Sequence, residues 1–148
     1  MPGAEFDVPL AVVDASVVVR WIVPERGAAE ALVLLSRSID WIAPRLMLSE
    51  VASALRRKVL QGEVSVEFAE HGIDFVRGIM NRGALRLHRD ETIIRNALTL
   101  AVTMQHKVPD CLYLALAEHT GAGLATADRR LSELAEIRYI PCALISSV

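Results

Sequence analysis

Two short apolar runs, each stopped by an aspartate, limit what this chain can become. They are Leu10-Ala-Val-Val-Asp14 and, more than a hundred residues later, Leu124-Ala-Thr-Ala-Asp128. Brief, nearly continuous apolar runs of this kind suit strands buried on both faces, as in parallel sheets covered by helices. The segments between them alternate in the same sense. Ser16 is expected to cap a short helix through Trp21, closed before Pro24, and Gly27 to Arg37 carries Ala31, Leu32, Leu34 and Leu35 at helical spacing. Trp41–Ala43 reads as a brief strand. Leu48, Val51, Leu55 and Val59 then form the stripe of an amphipathic helix ending near Gly62. Ser65 opens a further helix, Leu85–His88 is a strand, and Thr92–Met104 and Pro109–His119 are helices. After the second acid-terminated strand come a helix over Asp128–Ala135 and a last strand over Arg138–Ile145. Strands alternating with helices predict an α/β fold built on a mainly parallel sheet.

Composition removes several classes. A length of 148 residues suits one domain spanning the chain, with 53% hydrophobic and 23% charged residues arguing against disorder. The longest unbroken apolar run, Cys111–Ala117, is far below the roughly 18 residues of a membrane span, so no membrane role is expected. No secretion leader is evident at Met1, and Cys111 and Cys142 fit neither a disulfide framework nor a zinc pattern, which together point to a reducing, cytoplasmic setting. The net charge of −2 hides an asymmetry. Residues 1–74 hold 7 basic and 11 acidic side chains, and 75–148 hold 9 and 7.

Most of the acids fall where solvent-facing residues fall; four do not. Asp14 and Asp128 end apolar strands, where open α/β sheets bind ligands. Glu50 is embedded in Leu46-Met-Leu-Ser-Glu-Val-Ala-Ser-Ala-Leu55, and Asp110 opens a helix whose next seven residues are apolar. Each also has an ordinary structural use. Asp14 and Asp128 would cap the helices that follow them, Asp110 would complement a helix dipole, and Glu50 would pair with Arg56 or Arg57. Jointly those uses are less persuasive, because four carboxylates at one sheet edge repel one another unless a cation sits among them. All-oxygen ligation suits Mg²⁺, with Mn²⁺ as an alternative, and such ions assist phosphoryl displacement.

With these residues assembled, the chain resembles the PIN-domain ribonucleases and, among them, the VapC-type toxins of type II toxin–antitoxin modules. The resemblance runs from Leu10 to about Ala143. It is carried by Val12-Val-Asp-Ala-Ser-Val-Val-Val19 with Arg20-Trp-Ile-Val-Pro-Glu25, by Ala43-Pro44 with Leu48-Ser-Glu-Val-Ala-Ser-Ala-Leu55, by Pro109-Asp-Cys-Leu-Tyr-Leu-Ala-Leu-Ala-Glu118, and by Leu124-Ala-Thr-Ala-Asp-Arg-Arg-Leu131. It implies a PIN-like three-layer sandwich and a Mg²⁺-dependent endoribonuclease with Asp14, Glu50, Asp110 and Asp128 as catalytic and metal-binding acids. It also implies support from the hydroxyls of Ser16 and Thr126, a homodimer, RNA as substrate, a cognate VapB-like antitoxin as inhibitor, and operator DNA reached through the antitoxin complex. Pro109 stands where related sequences often carry an aromatic residue, and residues 1–9 form an N-terminal extension that matches nothing.

A few further residues carry expectations of their own. Arg129 and Arg130 follow an acid of the site directly and are candidates for substrate phosphates. Arg77, Arg82, Arg86, Arg89 and Arg95 form a looser basic stretch. Cys111 reads as a small core residue, and His71, His88, His106 and His119 as surface or helix-terminal residues. Val17–Trp21 and the Gly27–Arg37 helix are candidate dimer contacts, and an apolar groove is expected to take an amphipathic antitoxin helix. The competing function is a catalytically weak PIN-like module that binds protein and operator; turnover of RNA with a divalent cation separates the two.

Overall fold

The computed structural model describes residues 6–146. These form five strands, all parallel, in the order β3-β2-β1-β4-β5, flanked by seven α-helices as a three-layer α/β sandwich. The strands are β1 (Leu10–Val13), β2 (Asp40–Pro44), β3 (Leu85–His88), β4 (Gly123–Thr126) and β5 (Cys142–Leu144). Between β1 and β2 lie α1 (Ala15–Ile22) and α2 (Ala28–Ser36), and between β2 and β3 lie α3 (Leu46–Leu60) and α4 (Val66–Asn81). A 3₁₀ turn at Asp90–Thr92, α5 (Ile94–Met104) and α6 (Val108–Thr120) lead to β4, and α7 (Arg129–Ile137) joins β4 to β5.

The central strand is the most apolar one. Ala11, Val12 and Val13 of β1 have no solvent exposure, because β2 and β4 flank them and helices cover both faces. Helix α6 buries every residue from Cys111 to Ala117, the pattern of a helix apolar on all sides and enclosed by its neighbours. Parallel register puts Val13 beside Ala125, so the ends of β1 and β4 share one edge of the sheet.

Several expectations are corrected. Ser16 lies inside α1, and Asp14 takes the N-cap position, because the Ser16 hydroxyl donates to Asp14 and accepts from the distant Ala127 N–H. Helix α5 begins at Ile94, after the 3₁₀ turn. The last strand is only Cys142–Leu144, since Tyr139 adopts φ 58, a left-handed conformation no strand accommodates. Val17–Trp21 is unavailable as a dimer face. These side chains are spent in the core, where the Trp21 Nε1 donates to the Ala31 carbonyl at 2.9 Å and its ring meets Trp41 edge-on. Of the N-terminal extension, residues 1–5 lie outside the described residues, whereas Phe6 is buried with its ring over Gly123.

Gly27, the N-cap of α2, has φ 89, and a Cβ added there would stand 2.1 Å from the Ser146 carbonyl oxygen. Backbone strain and a backbone clash coincide. Gly27→Ala is therefore expected to cost about 1–3 kcal/mol of stability, read as a lowered midpoint in thermal or denaturant unfolding.

Candidate active site

Asp14 extends β1 by one residue, and its backbone N–H donates to the Ala125 carbonyl at 3.0 Å. Although it stands at the N-cap of α1, its carboxylate makes no capping bond. Two hydroxyls hold it instead: Ser16 Oγ and Thr126 Oγ1 both donate to Oδ2, at 2.6 and 2.8 Å. Each hydroxyl is used twice, Ser16 accepting from the Ala127 N–H at 2.9 Å and Thr126 from the Asp128 N–H at 3.0 Å. The side chain of Asp14 is thus tied to the β4–α7 turn while Oδ1 accepts nothing from the described residues.

The other acids repeat this division. Glu50 borders the buried stripe Met47, Val51 and Leu55 of α3, and the Tyr113 phenol of α6 donates to its Oε1 at 2.5 Å. Asp110, in the first turn of α6, has Oδ2 bonded to His106 Nε2 at 2.8 Å, with Lys107 Nζ 3.9 Å away. Asp128 caps α7 through Oδ1, which accepts from the N–H groups of Arg130 and Leu131. One oxygen of each acid accepts hydrogen bonds, and the other accepts none from the described residues.

Burial pushes the Asp14 carboxyl up to about 6; the two hydroxyls pull it down, while the charges of Glu50 and Asp110 raise it further. Glu50 is raised as well, first by burial, then by Asp110, against the lowering effect of the Tyr113 bond and Lys107. The Tyr113 phenol is driven far above its usual range by burial and by the Asp14 and Glu50 charges, so it remains a donor. The shared field runs through Asp14, Glu50 and Asp110, and Asp128 adds to none of these shifts.

Among the described residues no group of three or more acidic, His or Cys side chains stands placed to hold a metal ion. The donor set nevertheless fits a hydrated hard cation. Mg²⁺ keeps several waters and is bound through one or two carboxylates, and here mutually repelling acids each present an uncommitted oxygen.

The sequence profile of the PIN domain matches residues 11–137. The chain belongs to the PIN domain family. It is 32% identical over 126 residues to Ribonuclease VapC3 of Pyrobaculum aerophilum, an alignment covering 82% of this chain and 92% of that protein. Two solved structures share the fold. A crystal structure of PAE2754 from Pyrobaculum aerophilum superposes with a TM-score of 0.65 at 22% identity, over 84% of this chain and 78% of the other. A toxin–antitoxin complex from Klebsiella pneumoniae superposes with a TM-score of 0.57 at 18% identity, over 80% and 86%.

In this PIN domain several side chains depart from the roles their local sequence suggests, and Tyr113 and His106 join the site unannounced. Glu50 bonds Tyr113 rather than Arg56 or Arg57, a partner 63 residues away that no spacing reveals. His106 is not a free surface residue but the partner of Asp110, for which four-residue spacing is the available signal. His88 and His119 stack edge-on at 5.6 Å. Cys111 is fully buried and its thiol is raised by burial and by Asp110, the state of an inert core cysteine. Arg129 and Arg130 are exposed at the start of α7, Arg130 3.5 Å from Glu133. The looser arginines, Arg77, Arg82, Arg86, Arg89 and Arg95, are also exposed.

Proposed function

We propose that this PIN domain is a metal-dependent endoribonuclease, the toxin of a toxin–antitoxin pair. The observation that carries the reading is a buried Asp14 held by two hydroxyls inside the field of Glu50 and Asp110. The ribonuclease named among its relatives and the toxin–antitoxin complex among its structural neighbours support it. Asp14, Asp110 and Asp128 would hold Mg²⁺ or Mn²⁺, directly or through water, with Glu50 completing the site. The ion supplies charge stabilisation for in-line displacement at phosphorus. Glu50 takes the proton of the attacking water on its uncommitted oxygen, since its raised pKa makes it a better base than an ordinary carboxylate. Tyr113 keeps that side chain aimed, Ser16 and Thr126 keep Asp14 fixed, and Arg129 and Arg130 bind flanking phosphates. Incubating the purified protein with RNA, with Mg²⁺ or Mn²⁺ and again with EDTA, tests this. Cleavage only with the ion supports it; Mn²⁺ binding without turnover would favour the catalytically weak module.

The partner surfaces belong to the same proposal. Helices α3 and α4 enclose an apolar groove of about 300 Å³ lined by Leu55, Val59, Leu60, Val66, Ala69 and Ile73. It suits the apolar face of an antitoxin helix, and operator DNA would be bound through that antitoxin. For the homodimer, Ile94, Leu98 and Val102 line α5 at four-residue spacing and are 44%, 56% and 72% exposed. A second copy covering this stripe would bury it. Leu98→Glu is expected to convert the dimer to monomer in light scattering at micromolar concentration, and a persistent dimer would place the contact elsewhere, Leu32 and Val33 of α2 being further exposed apolar residues.

A further inference from the structure

Helix α5 ends at Met104 with Gln105 as its C-cap, whose φ of 51 is left-handed, and α6 starts almost at once with Lys107 as its N-cap. This abrupt turn seats His106 beside the first turn of α6. Its Nε2 lies 2.8 Å from Asp110 Oδ2, with the two side chains only 14% and 17% exposed. An acid in a first turn ordinarily settles among the free N–H groups of its own helix. Here no side chain caps α6, and the Asp110 carboxylate is held from the other side.

Resting on the metal-dependent reading, we propose that His106 is a positioning residue whose Nε2–H fixes the Asp110 carboxylate and leaves Oδ1 available to a cation. An ionised carboxylate only accepts hydrogen bonds, so the ring nitrogen facing it carries the hydrogen. Lys107 cannot do the same work. Its Nζ is 3.9 Å from the same oxygen on a side chain 78% exposed, a mobile point charge that supplies no direction. The device is the one seen at the neighbouring acids, where Ser16 with Thr126 and Tyr113 each take one oxygen of Asp14 and Glu50. Removing such a partner loosens the ligand without removing it.

The test is calorimetric titration of Mn²⁺ into the intact protein and its His106→Ala, His106→Gln and Lys107→Ala variants. His106→Ala is expected to weaken Mn²⁺ binding about 10- to 100-fold. His106→Gln, which keeps an N–H donor, should recover most of that loss, and Lys107→Ala should stay within about fivefold of wild type. At saturating Mn²⁺, His106→Ala should lower kcat for RNA cleavage and leave KM for RNA unchanged. Equal Mn²⁺ affinity in wild type and His106→Ala overturns the positioning role and leaves the metal reading standing. Equal losses in the Ala and Gln variants, or a collapse of the metal-free melting temperature in both, overturn it too, by assigning the effect to the bulk of the ring or to folding. A wild-type chain that takes up no Mn²⁺ removes the metal reading itself, and this proposal with it.

Discussion

Asp14→Asn is expected to reduce RNA cleavage by on the order of 10³-fold or more while making the metal-free protein more stable. The loss follows if Asp14 helps hold the ion, because that ion contributes several kcal/mol of transition-state stabilisation, at about 1.4 kcal/mol per tenfold in rate. The gain follows from the native site. Both hydroxyl donors converge on Oδ2, so an asparagine can place its carbonyl oxygen there, keep the Ser16 and Thr126 bonds, and turn its NH₂ toward the uncommitted side. The fold loses a buried charge and keeps its hydrogen bonds. Asp110→Asn should also abolish cleavage by removing a charged ligand, and it should leave the fold intact, since His106 can donate to an amide oxygen as it does to a carboxylate. Single-turnover RNA cleavage and metal-free denaturant unfolding of the same variants read both halves. Cleavage retained in both variants would remove these acids from the reaction.

Stability of the metal-free protein should fall as pH rises from about 4 to 7, with Asp14 contributing about 3 kcal/mol. Its carboxyl titrates near 6 when folded and near 3.8 when unfolded. Between those values the folded chain binds more protons than the unfolded one, so each step up in pH favours unfolding. The gap corresponds to about 3 kcal/mol at 1.36 kcal/mol per unit. Glu50 is raised too and adds in the same direction. Glu91, lowered by a bond from its own backbone N–H and by Arg89, opposes the trend, so the readout is the difference between wild type and Asp14→Asn. That difference should be small at pH 4 and grow to its full size by about pH 7. A difference independent of pH would mean that Asp14 is not held above its ordinary value. Metal reverses the sign. Mn²⁺ binds the charged form, so its affinity should climb as pH passes through 6 and a proton should be released on binding.

The strands are the most legible part of the chain, because an acid that stops an apolar run marks both the end of a strand and the edge it reaches. Asp14 and Asp128 follow two adjacent parallel strands, and Val13 beside Ala125 sets them at one edge. Ser16 and Asp14 are both good caps two residues apart, and local pattern cannot choose between them. Ala127 makes the choice, since its N–H claims the Ser16 hydroxyl from 111 residues away. The last strand is shorter than its apolar run because Tyr139 turns left-handed, which nothing in Arg138-Tyr139 announces. Val17–Trp21 has the composition of surplus apolar surface, yet α2 and Trp41 use it fully. Among the site residues the acids stand out as misplaced charges. Tyr113 and His106 do not, because a tyrosine in an apolar helix and a histidine in a turn look like ordinary packing until the partner is in place.

The divided carboxylates have a consequence for which ions the proposed site would prefer. Asp14 Oδ2 already accepts two hydrogen bonds and Asp128 Oδ1 two, so each of these acids offers an incoming ion one free oxygen. Mg²⁺ would need only one or two of these carboxylates, since it keeps several of its waters. Calcium asks for six to eight oxygens at longer range and commonly draws two from one carboxylate. To bind through both oxygens, Asp14 would have to surrender Ser16 or Thr126. The two hydroxyls that brace Asp14 would thereby favour the smaller ion by holding back that carboxylate's second oxygen.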